Sequence, residues 1–170
     1  MIASVIAYLA LGSNLGDPVL QLVKARAAIS AIPGVATIGV SSLFQSPVWG
    51  NDQPQPDYIN AAIAVCTKLS AHALWLATSG IETTQGRVRG GERNAARTID
   101  IDLLLYGDGR LHTTDLTVPH PRMHERDFVL MPLLEIAPDA VIPGHGSARD
   151  CLHRVGSTHI VKLSHNSAWN

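Results

Sequence analysis

Cysteine is scarce. The 170-residue chain has two, Cys66 and Cys151, too few for a disulfide framework. Cys66 lies in the apolar run AAIAVCT and is expected to be a small core residue. Charge is thin as well: Asp, Glu, Lys and Arg make up 16% of the residues, and 13 basic against 14 acidic side chains leave a net charge of −1. A general nucleic-acid or anionic-membrane binder carries a basic excess, so neither partner is expected. Long hydrophobic runs are missing too. The N-terminal MIASVIAYLALGSNLGD is apolar for only about ten residues, too short to cross a bilayer. It also lacks the basic flank of a signal peptide. It reads as the first strand of a cytoplasmic protein.

Several motifs are absent. There is no G-x-x-x-x-G-K-[ST] loop, no G-x-G-x-x-G and no kinase catalytic-loop signature. A nucleotide would therefore be held by side chains and metal, not by a glycine cradle. Ser13 has no G-x-S-x-G frame around it, which argues against a hydrolase triad. His120 and His124 have i,i+4 spacing but no H-E-x-x-H order, and prolines flank His120, which argues against zinc.

What is present is 46% apolar residues, enough for one globular domain over residues 1–170. Strands are expected at 3–11, 35–45, 58–67 and 98–106, and a last one at 159–163. Asp17 and Pro18 form an N-cap and first-turn pair for a helix ending near Pro33–Gly34. A second helix is expected over 70–87, and a short helical or irregular segment should pack Phe128, Val129, Leu130, Leu133, Leu134 and Ile136. The order β-α-β-β-α-β predicts an α+β fold: a ferredoxin-like antiparallel sheet with helices on one face, plus a C-terminal extension. The other face would be left for a ligand.

The segment RTIDIDLLLYG (97–107) poses the main question. In a strand, Asp100 and Asp102 share a face, about 6.5–7 Å apart. Ile99, Ile101, Leu103 and Leu105 would face the helices. Like charges side by side need an offset, unless the face is simply solvated. Arginine could supply it, since GRVRGGERNAAR (86–97) holds Arg87, Arg89, Arg93 and Arg97. So could a divalent cation, for which hard oxygen ligands favour Mg²⁺. An excess of arginine beside paired carboxylates suits a polyphosphate, and Gly86, Gly90 and Gly91 would let that loop move. His120 and Arg126 in TVPHPRMHERDFVL could hydrogen-bond phosphate, while Arg122 and His124 fit an ordinary polar turn. In SPVWGNDQPQPDYIN, Trp49 and Tyr58 stand beside Ser46 and Asn60. That set either packs a lid or holds a flat heteroaromatic ligand by stacking and edge hydrogen bonds.

Four segments, ALGSNLGD (10–17), SPVWG…QPDYINAA (46–62), IETTQGRVR…ERNAARTIDIDLLLYG (81–107) and LTVPHPRMHERDFVLMPLLEIAP (116–138), together resemble the 6-hydroxymethyl-7,8-dihydropterin pyrophosphokinase family. The resemblance implies transfer of the pyrophosphoryl group of ATP to the dihydropterin hydroxymethyl group, in folate biosynthesis. It implies two Mg²⁺ ions on Asp100 and Asp102, and catalytic arginines at Arg87 and Arg97. Glu82, Arg89, Thr117, His120 and Arg126 match positions near the nucleotide. Ser46, Trp49, Tyr58, Asn60 and Phe128 match the pterin pocket, with Tyr58 and Phe128 on opposite faces of the ring. A monomer acting on ATP and the dihydropterin is expected. The chain departs from some relatives at residues 94–96 (NAA), Ser79 and Asp115. A metal-dependent phosphohydrolase and a non-catalytic ligand-binding module are the rival readings.

Overall fold

Helix α1 (Pro18–Ser30) begins as the sequence dictates, with Asp17 Oδ1 accepting the Leu20 N–H at 3.0 Å and proline in the first turn. Helix α2 (Ala71–Thr84) is capped in the same way by Ser70, whose Oγ accepts from Ala73 at 3.1 Å. These details come from a computed structural model that describes residues 3–50, 54–86, 96–157 and 159–170. The remaining elements are strands β1 (Val5–Ser13), β2 (Val35–Val40), β3 (Phe44–Ser46), β4 (Tyr58–Thr67), β5 (Asp100–Tyr106), β6 (Leu111–His112), β7 (Thr117–Val118), β8 (Val141–Ile142), β9 (Gly146–Ser147) and β10 (Val161–Lys162), and helices α3 (Asp127–Ile136) and α4 (Ala148–Val155).

The main sheet is antiparallel, in the order β10-β3-β4-β1-β5, with β2 also paired to β4. Leu9, Leu11, Ile101 and Leu103 meet Leu22, Ile29 and Leu74 from α1 and α2 in one core. These two helices share a face, as expected. The C-terminal extension covers much of the other face. There Leu104 and Leu105 pack with Val129, Leu130 and Leu133 of α3 and with Cys151 of α4. The open face is thereby reduced to one end of the sheet. Strand β4 shows why α3 can sit so close. It is buried without alternation from Asn60 to Val65, and its small side chains admit the helix. A Cβ on Gly39 would lie 3.4 Å from Ala64 Cβ and 3.8 Å from Ile136 Cβ.

Three expectations need correcting. Leu105 does not face α1 and α2. Tyr8 pairs with Leu105 and Leu9 with Leu103, so Leu104 is a bulge residue and the alternation shifts beyond it. The strand expected at 35–45 is two, broken at Ser41. Ser41 Oγ accepts the Ala62 N–H at 2.8 Å, and its carbonyl accepts from Trp169 Nε1 at 2.8 Å. Trp169, fully buried, fills the break. Cys66 is half-buried rather than core, because it pairs with Ile6 near the start of β1 and the end of β4, where Ile6 is itself exposed.

Candidate active site

The cross-strand register builds the site. Gly12 of β1 lies opposite Asp100 of β5 on one side and opposite Asn60 of β4 on the other, and Ala10 lies opposite Asp102. Adjacent strands are about 4.8 Å apart, so the Asp100 carboxylate and the Asn60 amide face each other across a residue with no side chain, with Asp102 two residues along β5. A Cβ on Gly12 would sit 3.4 Å from Asn60 Oδ1 and 3.6 Å from Tyr58 Cδ1. Around this row opens a cavity of about 280 Å³. Ser46, Trp49, Tyr58, Asn60, Arg97, Asp100, Asp102, His120, Arg126 and Phe128 all border it.

The cavity has two chemically different ends. At the amide end, Asn60 Nδ2 donates to the Phe44 carbonyl at 3.2 Å and to Ser46 Oγ at 2.9 Å. Both amide protons are thus engaged within the sheet, and Oδ1 is left toward the cavity as an acceptor. Aromatic walls stand beside it: the Trp49 and Phe128 rings are 6.4 Å apart and tilted by 59°. The Arg122 guanidinium lies 4.4 Å from the Trp49 centroid and that of Arg126 lies 5.2 Å from it.

The other end is ionic. Arg97 Nη1 meets Asp100 Oδ2 at 2.9 Å. His120 Nε2 lies 3.7 Å from Asp102 Oδ2, beyond hydrogen-bond length. The Arg122 backbone N–H donates to His120 Nδ1 at 3.2 Å. In the neutral ring the proton is therefore on Nε2, facing the carboxylates. Burial, then the Arg126 charge, push the His120 pKa down to about 4, so neutral is the form at pH 7. Burial also lowers the pKa of Arg126, with Asp102 and Asp100 opposing, yet a guanidinium stays charged.

The sign of the His120 shift makes a prediction. Between pH 6.5 and about 4 the unfolded chain binds a proton that the folded His120 refuses. Stability is therefore present above that window and is lost as pH falls through it, by about 3 kcal/mol. His120→Asn should flatten that part of a nucleotide-free profile of unfolding free energy against pH. An unchanged slope would show that other groups carry it.

The carboxylate pair fits a hard divalent cation. Both ligands are oxygen, no cysteine borders the cavity, and among the described residues no cluster of three or more His, Cys, Asp or Glu could hold a metal alone. An ion here would take its other ligands from water and phosphate, as Mg²⁺ does.

A model of the 7,8-dihydro-6-hydroxymethylpterin-pyrophosphokinase (HPPK) family matches residues 8–138. The 2-amino-4-hydroxy-6-hydroxymethyldihydropteridine pyrophosphokinase of Haemophilus influenzae is 42% identical over 158 residues, covering 93% of this chain and 98% of the relative. The protein of that name from Methylorubrum extorquens is 40% identical, covering 92% and 98%. The chain belongs to the HPPK family. A crystal structure of Plasmodium falciparum HPPK-DHPS with pteroate shares the fold, with a TM-score of 0.68 at 13% identity. The match covers 89% of this chain but spans only 42% of that longer one.

Not every residue matched to the HPPK motifs reaches the cavity. Arg87 and Arg89 lie outside the described residues, as does most of the expected 86–97 loop. Glu82 is 3% exposed, and its Oε1 accepts the Ile101 N–H at 2.6 Å. It thus grips β5 between the two aspartates and does not border the cavity. Thr117, on the β6–β7 hairpin, bonds His112 Nδ1 at 3.0 Å and is likewise off the cavity. His124 stacks on His145, with centroids 3.6 Å apart.

Two residues escaped the sequence reading. Gly12 is one, and the register alone reveals it. Asn14 is the other: its Nδ2 donates to Gln55 Oε1 and the Pro56 carbonyl, both at 3.0 Å. Its Oδ1 accepts the Arg97 N–H at 2.9 Å, and its own N–H donates to the Arg97 carbonyl at 3.2 Å. This buried side chain ties the aromatic end of the site to the arginine of the ionic end. An asparagine directly after a strand and without a capping duty was the available signal.

Proposed function

We propose that the protein transfers the β,γ-pyrophosphoryl group of ATP to the hydroxymethyl oxygen of 6-hydroxymethyl-7,8-dihydropterin. The substrate oxygen attacks the β-phosphorus, the bond to the α,β-bridging oxygen breaks, AMP leaves, and the hydroxyl proton is released. The observation that carries this reading is the two-ended cavity: Asp100 and the hydrogen-bonded Asn60 amide flank Gly12 in one row of the sheet, and Asp102, opposite Ala10, borders the same cavity.

The pterin lies at the amide end, between Tyr58 and Phe128 with Trp49 as a further wall. Asn60 Oδ1 accepts from its amino edge, and Ser46 lines that edge. The triphosphate lies at the ionic end, with Glu82 bracing β5 and with Arg89, Thr117, His120 and Arg126 on the nucleotide side. Two Mg²⁺ ions held by Asp100 and Asp102 would neutralise phosphate oxygens and align the reactants. Arg87 and Arg97 follow the charge as it moves onto the leaving AMP. His120, neutral, donates from Nε2 without adding a charge to the site. The domain spans residues 1–170, acts as a cytoplasmic monomer and has the ferredoxin-like βαββαβ topology, a reading supported by the sheet order once β2 and β3 are counted as one broken strand.

The test is AMP production from ATP and Mg²⁺ with and without the hydroxymethyl-dihydropterin. AMP formed only with the pterin supports the reading. Phosphate released from ATP without it would point to a phosphohydrolase, and no nucleotide turnover would point to a binding module.

A further inference from the structure

Arg122 does not border the cavity, and it has none of the roles assigned above. Its guanidinium nevertheless lies 4.4 Å from the centroid of the Trp49 ring, within the ~6 Å over which an indole face attracts a cation. Its Nε donates to Glu125 Oε1 at 2.7 Å. Glu125 thus fixes the guanidinium by its Nε, and the same hydrogen bond holds its carboxyl below the usual carboxylate range. The turn carrying both residues is rooted in the core by Met123, which is fully buried. Trp49, by contrast, stands on a segment with no strand or helix of its own, just past β3.

Arg126 also touches the indole, at 5.2 Å, and Phe128 at 5.8 Å, but it borders the cavity. With a triphosphate bound, its charge is drawn toward phosphate oxygens. Arg122, off the cavity, has no such competing partner among the described residues. We propose that Arg122 is a positioning residue for the pterin end of the site: clamped by Glu125, its guanidinium holds the Trp49 indole in place as a cavity wall before and after the nucleotide binds. This rests on the reading that the aromatic end takes the pterin. A wall already ordered lowers the cost of ordering it on binding.

The test is steady-state AMP formation by the full-length enzyme, with pterin and ATP each varied, in Arg122→Ala, Glu125→Gln, Trp49→Ala and the Arg122→Ala/Trp49→Ala double variant. Arg122→Ala should raise the KM for pterin about two- to thirtyfold, the range of a cation–π contact. The KM for ATP and kcat should stay within about twofold. Glu125→Gln, which keeps the guanidinium but weakens its clamp, should move the pterin KM in the same direction by less. In the double variant the pterin KM should equal that of Trp49→Ala alone, because Arg122 acts through the indole. An unchanged pterin KM in Arg122→Ala, or effects that add in the double variant, would overturn the proposal while the wild-type activity leaves the underlying reading intact. A wild-type enzyme without pterin-dependent AMP formation would overturn both.

Discussion

Asp102→Ala should abolish pyrophosphoryl transfer, with turnover falling at least about 10³-fold, the scale on which removal of a group stabilising transition-state charge is felt. The substitution is structurally mild. Asp102 pairs with Ala10 through the backbone ladder, and its carboxylate borders the cavity rather than the core. Its side chain is 34% exposed, so truncation leaves no buried void. The chemistry loses much more. With one carboxylate gone, Asp100 alone would offer too few protein oxygens to hold the two proposed ions and in-line reactants together. The pterin contacts proposed above lie at the other end of the cavity, beyond Gly12, and should survive. The measurement is AMP release with saturating substrates, paired with calorimetric titration of pterin. Loss of turnover with pterin affinity kept within a fewfold is the expected pair of results. Turnover near that of the wild type would remove Asp102 from the reaction. Asp102→Asn, equal in shape but uncharged, should be almost as inactive, which separates charge from packing.

The elements that local rules specify were legible in the sequence. Strand β4 begins and ends at the expected residues, 58 and 67, and α1 starts at Pro18 after its Asp17 cap, because alternation, apolar runs and caps are read within a few residues. The misreadings have non-local causes. The bulge at Leu104 arises from pairing with Tyr8 and Leu9, and the break at Ser41 is filled by Trp169, 128 residues away. The placement of α3 on the second face depends on small residues in β2 and β4.

The site divides in the same way. Asp100, Asp102, Asn60 and Ser46 carry chemistry on their side chains and were readable as types. Gly12 acts by lacking a side chain, so only the strand register exposes it. Asn14 and Arg122 act through other residues, Arg97 and Trp49. Nothing in their local sequence names those partners.

Arg97→Ala should lower kcat about 10²- to 10³-fold while weakening ATP binding by less than about tenfold. The asymmetry follows from where the guanidinium stands. Before substrate binds, Arg97 is spent on Asp100, 2.9 Å away, and its backbone is held on both sides by Asn14. On the proposed reading a nucleotide with its Mg²⁺ would take over the neutralisation of Asp100, and the guanidinium would be free to meet phosphate. Ground-state affinity then reflects an exchange of one anionic partner for another, which nets little. On the proposed mechanism the transition state adds charge on the leaving oxygen, and there the fork of donors contributes more than it does in the ground state. Lysine keeps the charge but loses the fork, so Arg97→Lys should recover affinity more fully than kcat. Single-turnover AMP formation, with ATP affinity measured separately by equilibrium titration, distinguishes the two effects. If Arg97→Ala loses affinity and kcat in equal measure, the arginine is an anchor for the bound nucleotide and takes no special part in the step that breaks its phosphate bond.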